Sequence, residues 1–176
     1  MTSEPGRRTS FARGAEHVLF GVGPSIASTV YGTVVVMATL TAAYAGEKDP
    51  WKLAGIVAST ALVLWIAHLY SHGLSESLGE NRRLRGDELR GIVRRELGVL
   101  LAAVLPVLAL VLGAAGLWGE STAVWLALGV GLVTLGGEGL RFARQEQLGA
   151  VGTVVAMGLN LGLGLLVVAL KVALAH

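Results

Sequence analysis

Five long apolar blocks run through the chain, at about 24–45, 52–72, 97–117, 122–140 and 148–170, with short polar gaps between them. Each is close to the roughly 20 residues that a helix rising 1.5 Å per residue needs to cross about 30 Å of hydrocarbon. Leu, Val and Ala dominate the blocks. The sustained polar–apolar alternation of a membrane barrel strand is missing. A helix also satisfies its own backbone groups where lipid cannot. The pattern predicts an all-α, polytopic transmembrane helix bundle with five spans. Residues 1–23 precede it, a basic loop lies at 73–96, and a short tail follows at 171–176.

Composition agrees with the pattern. The 176 residues are 53% hydrophobic and only 15% charged, where a soluble domain carries about 25% charged. With no cysteine, a disulfide-stapled secreted domain is excluded, and the hydrophobic content excludes a disordered chain. Charge placement adds a direction. Arg7, Arg8 and Arg13 precede the first block, and six arginines (82, 83, 85, 90, 94 and 95) fill the second gap. Arg141 and Arg144 lie in the fourth gap. These eleven fall on one side of five alternating spans, and Lys48, Lys52 and Lys171 fall on the other. Basic residues stay inside, so the N-terminus is expected in the cytoplasm and the C-terminus outside. Tyr44, Trp51, Trp118 and Trp125 then sit at the outer interface, which suits aromatic rings. The arginines before block one and the Ala43-Tyr44-Ala45 after it also fit a secretory signal. Such a signal has an apolar core of about 7–15 residues and a short lead, so a retained helix is the expectation.

Few polar residues interrupt the blocks, and those that do are the candidates for function. His68, His72 and Glu76 are spaced i, i+4, i+8, which stacks them on one face at the end of the second span. Imidazole with carboxylate at that spacing can relay protons or contribute to a metal site, and one face supplies too few ligands to close such a site. Whether they bind metal, titrate or only pack is open at this point. Counting depth places Glu138 of span four at the same level, with Ser28 and Tyr31 of span one. Three helices thus contribute to one polar inner layer, as a vestibule or a snorkelling edge would. Near the middle of span five, Gly158, Asn160 and Gly162 form a small-residue pattern expected to pack closely against a neighbouring helix. Pro106, inside span three, predicts a kink.

The second gap ends in Leu89, Ile92, Val93 and Leu97 at helical spacing, with arginines on the other faces. That suits an interfacial helix lying on anionic lipid before span three, or a plain loop that enforces topology. Orientation accounts for the basic residues, and the net charge is only +2, so nucleic acid is not an expected partner. A nucleophile–base pair and a nucleotide loop are missing, which points away from an enzyme and from a cofactor.

Val30-Tyr31-Gly32-Thr33-Val34-Val35-Val36 and Leu64-Trp65-Ile66-Ala67-His68-Leu69-Tyr70 resemble small multi-pass membrane proteins of high-GC actinobacteria. A weaker echo follows in Leu161-Gly162-Leu163-Gly164-Leu165-Leu166. The resemblance implies a bacterial plasma-membrane location and brings no activity with it. A fainter similarity to small bacterial potassium channels stops at Tyr31-Gly32-Thr33, where that family has Phe-Ser-Asp, so its gate does not carry over. The five-span plan is similar to vacuolar-type iron transporters, whose Asp-Gly-Leu signature and acidic helices are missing. Two functions stay open. One is a small channel or transporter for a cation or proton, working as a homo-oligomer. The other is a membrane scaffold or regulatory subunit acting through the arginine-rich loop.

Overall fold

The computed structural model describes residues 24–80 and 86–174, apart from the side chains of Glu76, Leu78, Glu80, Lys171 and Leu174. The N-terminal 1–23, the arginines at 82, 83 and 85, and the end of the C-terminal tail lie outside the described residues. Five helices follow in order: α1 Ile26–Gly46, α2 Pro50–Glu80, α3 Gly86–Ala114, α4 Glu120–Gln145 and α5 Ala150–Leu174. Each is long and apolar enough to cross a membrane, as a multi-pass membrane protein requires.

Local chemistry sets the helix ends. Ser25 caps α1, its hydroxyl accepting from the Ser28 N–H at 3.0 Å. Asp49 accepts from the Trp51 N–H at 2.9 Å, and Pro50 takes the first helical position of α2. Between these helices, Glu47 accepts from the backbone N–H groups of Lys48 and Asp49 and pairs with Lys52 at 3.1 Å. The Asp49 N–H, then the Lys52 ammonium, hold its carboxyl below the ordinary glutamate range. The loop's stabilisation is therefore complete above that range and is lost as acid takes the pH through the lowered value. α3 ends in a Schellman turn: Leu117 N–H reaches Leu112 O, Gly116 N–H reaches Gly113 O, and Gly116 has φ +87°. α4 ends the same way, with Gln147 in the left-handed position at φ 52°.

α1 is the central helix and packs against all four others, while α2 and α5 do not touch each other. Burial follows that plan. In α1 and α4, 44% of the most apolar window is buried inside the protein, against 22% in α2 and 17% in α5. The last two are therefore flanks with one broad face toward lipid. The centre is filled by Met37, Leu40, Leu53, Val57, Leu110 and Leu128, each at most 1% exposed. The tightest approach joins α1 to α3. A Cβ on Gly32 would lie 2.7 Å from Val99 Cα, and one on Gly98 would lie 2.6 Å from Thr29 Oγ1 and collide with Ser28 Oγ. Only hydrogen fits at either place, and the backbones come together as they do where small residues line membrane helix contacts.

Two expectations change. The later part of the second gap is not a separate helix before span three, because Gly86 to Ala114 is one unbroken helix with Pro106 inside it. Asp87 and Glu88 in its first turn match the positive end of the helix dipole. The second span likewise continues as helix to Glu80. At 1.5 Å per residue, α2 and α3 are about 46 and 43 Å long, so both extend some 13–16 Å beyond a 30 Å hydrocarbon layer.

Candidate functional site

Polar side chains converge at one end of the bundle, formed by the start of α1, the later turns of α2, the early turns of α3 and the end of α4. Ser28, 5% exposed, donates its hydroxyl to the Arg95 carbonyl of α3 at 2.7 Å, and Ser25 N–H reaches the same carbonyl at 3.1 Å. These bonds fix the register of α1 on α3. Next to them lies Glu96, a carboxylate only 4% exposed. Its Oε1 is 2.8 Å from Nδ1 of His72 on α2, whose side chain is 52% exposed. A buried acid is thus joined to the surroundings through a half-exposed imidazole.

His68 stands one turn deeper on the same face of α2. Its Nδ1 is 3.0 Å from the Leu64 carbonyl. A carbonyl oxygen only accepts, so Nδ1 carries the hydrogen and Nε2 keeps a lone pair when the ring is neutral. The ring stacks at a tilt on Tyr31 of α1, centroids 4.9 Å apart, and meets the His72 ring edge-on at 6.1 Å. Trp65 continues the face inward at i, i+3, i+7 with His68 and His72. Its indole N–H is buried and has no hydrogen-bond partner among the described residues. A sealed donor of this kind costs about 1–3 kcal/mol.

The predicted inner layer is therefore assembled in part. Tyr31, His68 and His72 come together, and Ser28 lies beside them on the α1–α3 contact. Glu138 is committed elsewhere: its Oε2 is 3.4 Å from Arg141, whose other nitrogen donates to the Pro24 carbonyl at 3.1 Å. That pair ties α4 to the start of α1. The Glu76 side chain lies outside the described residues. Among the described residues no three His, Cys, Asp or Glu side chains are grouped to hold a metal ion.

The sequence reading missed Glu96, assigning it to the loop before span three. A signal was there. Ile92, Glu96, Val99, Ala103, Pro106 and Leu110 follow alternating steps of four and three, and all are buried. An acid in that register belongs to the core-facing stripe of the helix. The expected packing site of α5 also changes. A Cβ on Gly158 or Gly162 would meet nothing within 4 Å, and the Asn160 amide donates to Ala156 of its own helix at 3.0 Å. The close contacts between α4 and α5 lie instead at Gly139 of α4, where a Cβ would stand 2.8 Å from Met157 Cα, and at Gly164 of α5, where one would stand 2.6 Å from Leu132 Cδ2.

No protein-family model matches the chain, and neither does a curated protein or a solved structure.

Proposed function

We propose that the protein is a small channel or transporter for a cation or proton, with the Glu96–His72 pair and its neighbours His68, Tyr31 and Ser28 as its inner site. The observation that carries this reading is the buried carboxylate of Glu96 in a membrane helix. Burying an ionisable acid is expensive, so a carboxylate sealed where a membrane bundle opens toward its basic end points to a functional site for an ion. Large apolar side chains fill the bundle centre, so a path for an ion runs between copies, which favours a homo-oligomer. His72 opens from the flank helix α2, where a second copy would meet it.

In this reading the bundle sits in a bacterial plasma membrane with the arginine end in the cytoplasm. A reporter fused after His176 is expected on the outer side and one inserted near Arg83 in the cytoplasm. Both on one side would break the five-span plan. Ion flux into liposomes holding only the purified protein tests the transport reading directly. Cation or proton flux above that of empty liposomes supports it, and none refutes it.

A second reading has its own support. The early turns of α3 carry exposed Arg90, Arg94 and Arg95. That stretch suits anionic lipid headgroups or an acidic partner protein, as a regulatory or scaffolding subunit would. An inert flux assay together with vesicle binding that depends on anionic lipid would favour it.

A further inference from the structure

The chemistry around Glu96 narrows the choice of ion. Nδ1 of His72 and Oε1 of Glu96 are 2.8 Å apart, and at that distance a hydrogen must lie between them, since two bare lone pairs repel. The pair therefore holds one proton and can take a second. A sodium or potassium ion needs a ring of several oxygens to replace its hydration shell. Here the serine hydroxyls and the Arg95 carbonyl are already engaged with one another: Ser25 and Ser28 bond to each other and to that carbonyl. The α2 face toward the site presents nitrogen groups, His72, His68 and the donor-only indole of Trp65. A proton needs one donor and one acceptor, and the pair supplies both.

We propose that the ion bound at this site is the proton, and that Glu96 takes it from water at the arginine end by way of His72. The proposal rests on the transport reading for its purpose and on the pair alone for its chemistry. With Nδ1 turned to Glu96, Nε2 is the nitrogen of the half-exposed ring left to meet water. A hydronium proton adds to Nε2 and leaves a water molecule, while the hydrogen on Nδ1 passes to Oε1. His72 ends neutral with its hydrogen on Nε2, and Glu96 ends as the neutral acid. One positive charge has cancelled one negative charge, and the sealed site no longer holds an ion. Among the described residues, the other titratable or charged groups on the turns that form this end include Tyr31 on α1, His68 on α2, Asp87, Glu88, Arg90, Arg94 and Arg95 on α3, and Glu138, Arg141 and Arg144 on α4. Of these, His68 has one nitrogen tied to Leu64, and Glu138 is held by Arg141.

The test uses the full chain in liposomes, with infrared difference spectra across a pH titration and proton flux read by an enclosed pH dye. Acidification is expected to produce a protonated-carboxyl band that Glu96→Gln removes and Glu138→Gln leaves in place. His72→Ala is expected to slow proton uptake at least tenfold, and Glu96→Gln to lower proton flux by the same factor. Glu96→Gln keeps the side-chain volume, and a retained helical spectrum and melting temperature show that the variant folds. A carboxyl band that persists in Glu96→Gln overturns the proposal. So does proton flux unchanged by that substitution, which leaves the transport reading intact. A band that behaves as expected in a protein without flux upholds the proton site and removes the transport reading.

Discussion

Gly139→Leu is expected to force α4 and α5 apart and to lower stability by about 3 kcal/mol or more, while Gly158→Ala raises it by up to about 1 kcal/mol. The two glycines sit on the same pair of neighbouring helices and differ in what a side chain would meet. A Cβ at Gly139 would lie 2.8 Å from Met157 Cα and 2.9 Å from the Ala156 carbonyl oxygen. Both are backbone atoms, and no rotamer change can move them aside. At Gly158 the space is open. There the substitution removes only the conformational freedom that glycine loses on forming a helix. Unfolding in detergent, followed by circular dichroism, would give the two signs. Equal effects of the same sign would mean that the α4–α5 contact lies elsewhere. Loss of stability at Gly158 accompanied by loss of oligomer would place that face between copies.

The His72–Glu96 pair is expected to respond unevenly to the loss of its members. His72→Ala strands a buried carboxylate, at a cost of about 2–3 kcal/mol. Glu96→Leu strands only an imidazole that is already half in contact with its surroundings, and should cost less than about 1 kcal/mol. The more exposed residue is therefore the more damaging one to remove. In the double variant no charge remains sealed, so most of the His72→Ala loss should be recovered. A double-mutant cycle measures this as a coupling of about 2–3 kcal/mol. A near-zero coupling would show that Glu96 is neutral or solvated without its partner.

The spans were legible because lipid imposes a length and a composition on any helix that crosses it. The helix ends were less so. Residues 73–80 and 86–96 are helical but lie outside the apolar blocks, where polar side chains are frequent and apolar density no longer marks a helix. Glu96 was hidden by the same boundary: it stands immediately before the apolar block that begins at Leu97, and its neighbours Arg94 and Arg95 are exposed. One step along a helix turns a side chain by 100°, enough to carry position 96 from solvent into the core. His68 and His72 are legible from their i, i+4 spacing, and Tyr31 and Ser28 from counting depth, which works because a helix converts residue number into height. Gly158 and Gly162 misled for a related reason. Their spacing shows that they share a face of α5 but not which way the face turns. On the same helix it is Gly164 whose face turns inward, where a Cβ would lie 2.6 Å from Leu132 Cδ2.

The central position of α1 has a consequence for biogenesis. Of the five described helices, the one that touches every other leaves the ribosome first, and its last partner ends 128 residues later. At about 5–20 residues per second, α1 waits roughly 6–26 s in the membrane before its surroundings are complete. During that wait its future core face meets lipid, hydroxyls included. Thr29 bonds to the Ser25 carbonyl and Thr33 to the Thr29 carbonyl, at 3.1 and 2.8 Å, so two of them need no outside partner. Thr41 has none among the described residues of the finished fold, and it is the hydroxyl an insertase or the translocon wall would have to shelter.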